Sequence, residues 1–177
     1  MTNPNTYTPS HVANFFLQHA ENNEIPVSVM KLNKLVYFAY GWTLALLDRP
    51  LFNEQIEAWK YGPVIPSLYH EFKHFGSKPI EDGVRSYDFD AFKDEKPVAP
   101  ELPQNEKEII EILNKVWDLY KDFSATTLMR LTHEKGAPWD RVFKKNERNI
   151  AIDDTIIKEY FVEALTRLVS NDGHATG

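Results

Sequence analysis

The sequence predicts a mainly α-helical protein: a single compact domain of about six helices, with a small β element and one long surface loop. Three observations predict this class. Apolar residues recur every three or four positions through most of the chain, which is typical of amphipathic helices. Residues 31–47 are too apolar for a surface helix and are expected to form the central one. The alternation typical of strands is confined to short stretches.

The helices have recognisable starts. Thr8 is a suitable cap for the first helix, with Pro9 at its first position. Ser28 is a suitable cap for the second helix, which contains residues 31–47. A third helix is expected over residues 66–75. The remaining helices are indicated by the apolar spacing from Ile109 to Tyr120, by the caps Ser124 and Asp153, and by the Pro138-Trp139 start.

Residues 56–61 alternate as a short strand does, and Gly62-Pro63 is expected to break it. Residues 77–104 contain four prolines among many charges and are predicted to form the long surface loop, in which only residues 84–89 resemble a strand. The predicted domain spans residues 1–170 and includes the loop, because the part of the chain that follows the loop is too small to fold alone. Residues 171–177 are predicted to form a flexible tail.

Composition argues against several classes of function. The chain has 177 residues and a net charge of −6, which argues against nonspecific nucleic-acid binding because phosphates must be neutralised by Lys and Arg. We therefore expect no nucleic-acid partner. It has no cysteine, which excludes disulfides, a thiol nucleophile and a Cys-ligated zinc site. The longest apolar run, residues 35–47, is shorter than the ~20 residues that span a bilayer, and no signal pattern opens the chain. We therefore expect a cytoplasmic protein without a membrane segment or cofactor.

One string matches a catalytic motif. His70, Glu71 and His74 satisfy the H-E-x-x-H pattern, in which two histidines on one helix face bind zinc and the Glu activates its water. A third ligand is missing, since Ser77 and Ile80 occupy the positions of the Gly and His that would continue the motif. The alternative interpretation is two surface histidines on an amphipathic helix. We predict no catalytic residue and no metal, and keep a zinc peptidase as an alternative.

Two further groups of residues are candidates for binding. The segment from Trp59 to Pro63 offers no nucleophile or phosphate cradle, so it is either a tight turn with buried aromatics or a protein interface with aromatic anchors. Thr132-His133 is either a helix end or part of a polar site. Lys31 and Lys34 either flank a buried helix or contact an acidic partner.

These residues belong to a larger pattern. It consists of Lys31-Leu32-x-Lys34-Leu35-x-Tyr37-Phe38-Ala39, Pro50-Leu51-Phe52, Glu57-Ala58-Trp59-x-Tyr61-Gly62-Pro63-Val64-x-Pro66, Tyr69-x-x-Phe72, Leu131-Thr132-His133-Glu134 and Pro138-Trp139. In this combination the chain resembles the Panacea domain family, which includes GepA-like phage-associated proteins and SocA-like antitoxins. The resemblance covers most of the chain, from about residue 8 to residue 139.

The resemblance implies an antitoxin of a bacterial or prophage toxin–antitoxin system, which neutralises its cognate toxin by direct binding. It also implies an alternative, a proteolytic adaptor that delivers the toxin to the ClpXP protease. No catalytic residue is implied, so we do not expect an enzyme. The predicted partner-binding residues, whose role as structural or contacting groups stays open, are Lys31, Lys34, Trp59, Tyr61, Gly62, Pro63, Thr132, His133 and Trp139.

Overall fold

The computed structural model describes residues 7–172, which form seven α-helices and five short strands. This confirms the predicted class, mainly α with a small β element. The helices are α1 Pro9–Asn22, α2 Val29–Leu47, α3 Pro66–Phe72, α4 Lys107–Tyr120, α5 Ala125–Thr132, α6 Pro138–Val142 and α7 Asp154–Asp172. The strands are β1 Glu57–Trp59, β2 Gly62–Val64, β3 Asp88–Lys93, β4 Lys96–Val98 and β5 Ile150–Ala151.

Helix α2 is the centre of the molecule, as its apolar sequence predicts. It begins at the predicted cap, where the Ser28 hydroxyl accepts a hydrogen bond from the Lys31 amide. It ends at Asp48, whose φ of 52° lies in the left-handed region that stops a helix. Helices α1, α3, α4, α5 and α7 all contact it. Most of its side chains are therefore buried, including polar ones.

A glycine allows α7 to approach α2 closely. A Cβ on Gly41 would lie only 2.1–2.5 Å from ring atoms of Phe161, so the ring occupies the space that any larger residue would need. Phe161 also makes edge-to-face contacts with Tyr37, Phe38 and Trp42. The aromatic core between the two helices therefore requires a glycine at position 41.

The predicted strand at residues 56–61 is only partly correct. β1 ends at Trp59, and Gly62-Pro63 does not end the β structure but opens β2, which pairs antiparallel with β1. β5 pairs with the other edge of β1, which gives the sheet order β2-β1-β5. Proline is compatible with β2 because β2 is an edge strand, where a missing N–H breaks no ladder.

Residues 77–104 contain more structure than a surface loop. β3 and β4 form a second hairpin, and β3 begins at Asp88, so the strand predicted at residues 84–89 is wrong in its bounds. Ile80, Ser86 and Leu102 are buried against the helices and attach the segment to the domain.

Helix α7 runs through Asp172 and so extends into the predicted tail; residues 173–177 lie outside the described part of the chain. Within the described residues, no helix combines the length and apolarity that crossing a membrane requires.

Candidate functional site

The β1–β2 hairpin turns through Lys60 and Tyr61, with Trp59 paired to Gly62. Gly62 has a φ of +104°, which L side chains rarely adopt. A Cβ there would also lie 2.7 Å from the Thr132 hydroxyl oxygen and 3.0 Å from the Lys34 Nζ. Both the backbone and the packing therefore require glycine at this turn.

Two neighbouring side chains of α2 bind the backbone of the segment around β2. The Lys34 Nζ donates a hydrogen bond of 2.9 Å to the Pro63 carbonyl, and the Asn33 Oδ1 accepts one of 3.0 Å from the Ile65 amide. Both side chains are buried, and Lys34 is only 1% exposed. Burial lowers the pKa of the Lys34 ammonium to about 7.

Helix α6 fixes the other strand. The Trp139 indole N–H donates a 2.7 Å hydrogen bond to the Trp59 carbonyl. The His133 ring packs on Trp139, with ring centroids 3.7 Å apart, and Thr132 is buried beside Gly62. We call Asn33, Lys34 and Trp139 the hairpin anchor, because each binds a backbone group of the hairpin or of the residue that follows it.

The opposite side of the hairpin is open to solvent. Tyr61 is 54% exposed and Tyr69, from α3, is 37% exposed. The half-buried Trp59 ring contacts Tyr69 edge to face at 4.9 Å, and its indole N–H donates to the Glu57 carboxylate. We call Trp59, Tyr61 and Tyr69 the hairpin face. Exposed aromatic side chains on a fixed backbone are typical of protein-binding surfaces.

The fold brings together all but one of the predicted partner-binding residues. Lys31 lies elsewhere: its Nζ donates to the Lys121 carbonyl at the end of α4, and burial lowers its pKa. Lys34 is too deeply buried to reach a partner, as are Gly62, Pro63 and Thr132. Of the predicted partner-binding residues, only Trp59, Tyr61 and His133 have solvent-accessible side chains.

Sequence reasoning misses Asn33, which binds the residue after β2, and the part that Tyr69 plays in the exposed face. A signal for Asn33 exists, because an amide within an apolar helix must have a buried hydrogen-bonding partner. Tyr69 belongs to the family pattern, but the pattern does not show that its ring is exposed beside the hairpin, since that follows from how α3 packs.

The H-E-x-x-H string is divided between two elements. His70 lies in α3 and His74 in the 3₁₀ turn Lys73–Phe75, where three residues make a turn and the spacing of an α-helix face is lost. Glu71 accepts hydrogen bonds from the Ser86 hydroxyl and the Tyr87 amide, so its carboxylate fixes the following segment. Within residues 7–172, no group of three or more His, Cys, Asp or Glu side chains could hold a metal ion.

Comparison with known proteins identifies the family. The family model for SocA-like antitoxins with a Panacea domain matches residues 32–140. The chain belongs to this family. It is 33% identical over 162 residues to Antitoxin SocA of Caulobacter vibrioides, a match that covers 89% of this chain and 84% of that protein. No solved structure gives a significant match. These matches confirm the resemblance predicted from the motifs, and the matched Panacea segment includes all three residues of the hairpin anchor.

Proposed function

We propose that this protein is an antitoxin that neutralises a cognate toxin in the cytoplasm by direct binding, with the hairpin face as the contact surface. The observation that carries the proposal is the combination of family membership with an exposed aromatic face held on a buried anchor. Tyr and Trp are the side chains most often found to dominate interface energies. Fixing them before binding lowers the entropy cost of association.

Charge suggests the chemistry of the partner. The protein carries a net charge of −6, so a basic toxin would be attracted at long range and would associate faster at low salt. Aromatic rings on the hairpin face also suit arginine and lysine side chains, as Lys60 illustrates within the chain by lying 5.0 Å from the centroid of the Tyr61 ring.

The test is co-expression with the product of the neighbouring gene, the candidate toxin, followed by growth measurement and co-purification. We expect the wild-type protein to restore growth and to co-purify with the toxin. Growth arrest despite abundant soluble protein would contradict the antitoxin role. If rescue requires direct binding alone, it persists in a host without ClpXP; rescue that disappears there identifies delivery to the protease instead.

The contact surface is tested by Tyr61→Ala, because the Tyr61 side chain is exposed and its loss leaves the core intact. If Tyr61 is an interface anchor, its truncation should weaken toxin binding by about 30-fold, corresponding to about 2 kcal/mol. Phe89→Ala is the matched control, since Phe89 is a 63% exposed aromatic residue on the other hairpin and should not affect toxin affinity. Equal affinities of the wild type and Tyr61→Ala would exclude the hairpin face.

A further inference from the structure

We infer that Lys34 is a positioning residue for partner binding: it holds the hairpin face in place through the Pro63 carbonyl, without touching the partner itself. This inference rests on the proposed function for its link to binding. Its structural part, the dependence of the hairpin on Lys34, is tested separately.

The first argument is the cost of the buried ammonium. Lys34 lies among the apolar residues of α2 at 1% exposure, and within residues 7–172 no carboxylate forms a salt bridge with it. Burying an amine without a counter-charge opposes folding, because the group must either lose its hydration as a cation or give up its proton. An aliphatic side chain would pack at this position without that penalty. An aliphatic side chain, however, has no N–H to donate.

The second argument is what the N–H group does. β2 pairs with β1 on one side only, so its other edge faces α2 inside the protein. A buried carbonyl on that edge needs a donor, and in a larger sheet the next strand would supply it. Here Lys34 supplies the donor for Pro63 and Asn33 supplies the acceptor for Ile65. Two side chains of a helix therefore replace the hydrogen bonds of a missing strand.

The third argument is the tightness of the contact. The Lys34 Nζ and Cε would both lie 3.0 Å from a Cβ on Gly62, the residue next to the exposed Tyr61. Movement of the Lys34 side chain therefore acts directly on the turn that carries Tyr61. Because Trp59 lies opposite Gly62 in the same hairpin, a loosened β2 would also release the second aromatic residue of the hairpin face.

The test measures amide hydrogen exchange and toxin affinity in Lys34→Met, which keeps the side-chain volume but removes the donor. We expect amides of residues 57–65 to exchange at least tenfold faster than in the wild type, while amides of α4 stay within threefold. We expect toxin affinity to fall at least tenfold. Leu113→Ala is the matched control, because it creates a cavity in the core at α4, whose main contacts are with α1 and α2. Amides of α4 should then exchange faster, while hairpin exchange and toxin affinity keep their wild-type values.

Lys34→Gln is the second variant if Lys34→Met does not fold. Its side-chain N–H is one bond nearer the backbone than the Lys34 Nζ and falls short of the Pro63 carbonyl, so we expect the same faster exchange and weaker binding. Wild-type exchange at residues 57–65 in the folded variant would overturn the positioning role, whatever the toxin affinity of that variant. Faster exchange with unchanged affinity would overturn the link to binding. Failure of the proposed contact surface gives a different result. In that case Tyr61→Ala binds the toxin with wild-type affinity, while Lys34→Met still shows faster exchange in the hairpin.

Discussion

The two hairpins of this protein present aromatic side chains to solvent in different ways. In the β1–β2 hairpin, the exposed Tyr61 stands on strands whose backbone is bound by Asn33, Lys34 and Trp139. In the β3–β4 hairpin, Phe89 and Phe92 are each 63% exposed. That hairpin is attached mainly at its base, where buried Asn14 bonds Ser86 and Pro100.

The difference separates exposure from preorganisation. Both hairpins offer apolar rings to a partner, but only the β1–β2 hairpin has its strands fixed along their length by buried side chains. A partner that binds the β1–β2 hairpin finds its contacts already in place, whereas one that binds the β3–β4 hairpin must restrict a backbone held at one end. Aromatic exposure alone is therefore a weaker guide to a binding surface than exposure together with an anchored backbone.

The largest effect is expected from removing the anchor of β1. Trp139 is 9% exposed and packs against His133 and Phe143, so Trp139→Ala should lower the free energy of unfolding by about 3–5 kcal/mol. Trp139→Phe keeps an aromatic ring but leaves the Trp59 carbonyl without its donor, and should cost about 1–3 kcal/mol. Urea unfolding measures both. If Trp139→Ala lowers the free energy of unfolding by less than 1 kcal/mol, Trp139 does not anchor β1.

A smaller effect is expected at the base of the second hairpin. Asn14→Ala removes two hydrogen bonds donated to the Ser86 and Pro100 carbonyls and one accepted from the Ser86 amide, and should cost about 1–3 kcal/mol. Amide exchange should accelerate in residues 84–100 and stay at the wild-type rate in residues 57–65. Asn22→Ala, an exposed position on the same helix, is the control and should stay within about 0.5 kcal/mol. Equal acceleration in both hairpins would mean that they open as one unit.

The smallest effect, counted per unit of pH, is expected in the pH dependence of the anchor. The pKa of Lys34 is about 7 in the folded protein, well below the usual lysine value, so between pH 7 and 10 the unfolded chain binds a proton that the folded chain lacks. Stability should therefore rise with pH in this window because of Lys34, by at most about 1.4 kcal/mol per pH unit. Lys31 also has a lowered pKa and adds a slope of the same sign.

The contribution of Lys34 is the difference between the wild type and Lys34→Met, which retains Lys31. Urea unfolding at pH 7, 8 and 9 should give a steeper rise for the wild type than for the variant. Parallel lines for the two proteins would mean that Lys34 keeps its ordinary pKa in the folded state, and that its ammonium is better solvated than its burial implies.

Local signals predict the helices well. Ser28 and Ser124 accept the capping hydrogen bonds expected from sequence, and Thr8 with Pro9 begins α1 as expected. The apolar run of α2 also predicts its central position, because such a surface cannot face water. The family resemblance rests on motif residues that the sequence displays directly, and it is confirmed.

Tertiary contacts decide what the sequence does not predict. Gly62-Pro63 has the composition of a strand breaker, yet it forms β2 because α2 supplies the hydrogen bonds that the strand needs. As a charged residue near the start of an apolar helix, Lys34 is expected from sequence to flank that helix. Its burial follows only from the packing of the hairpin on α2. The helix expected over residues 66–75 changes to a 3₁₀ turn after Phe72, which separates the two histidines of the H-E-x-x-H string.

The close contact between Gly41 and Phe161 determines which fragments of the chain are suitable for experiments. The ring that fills this space belongs to α7, which begins after the family match ends at residue 140. A fragment of residues 32–140 would expose Tyr37 and Phe38 along the side of its central helix, and we expect it to aggregate. The smallest piece suited to toxin-binding assays therefore extends through α7.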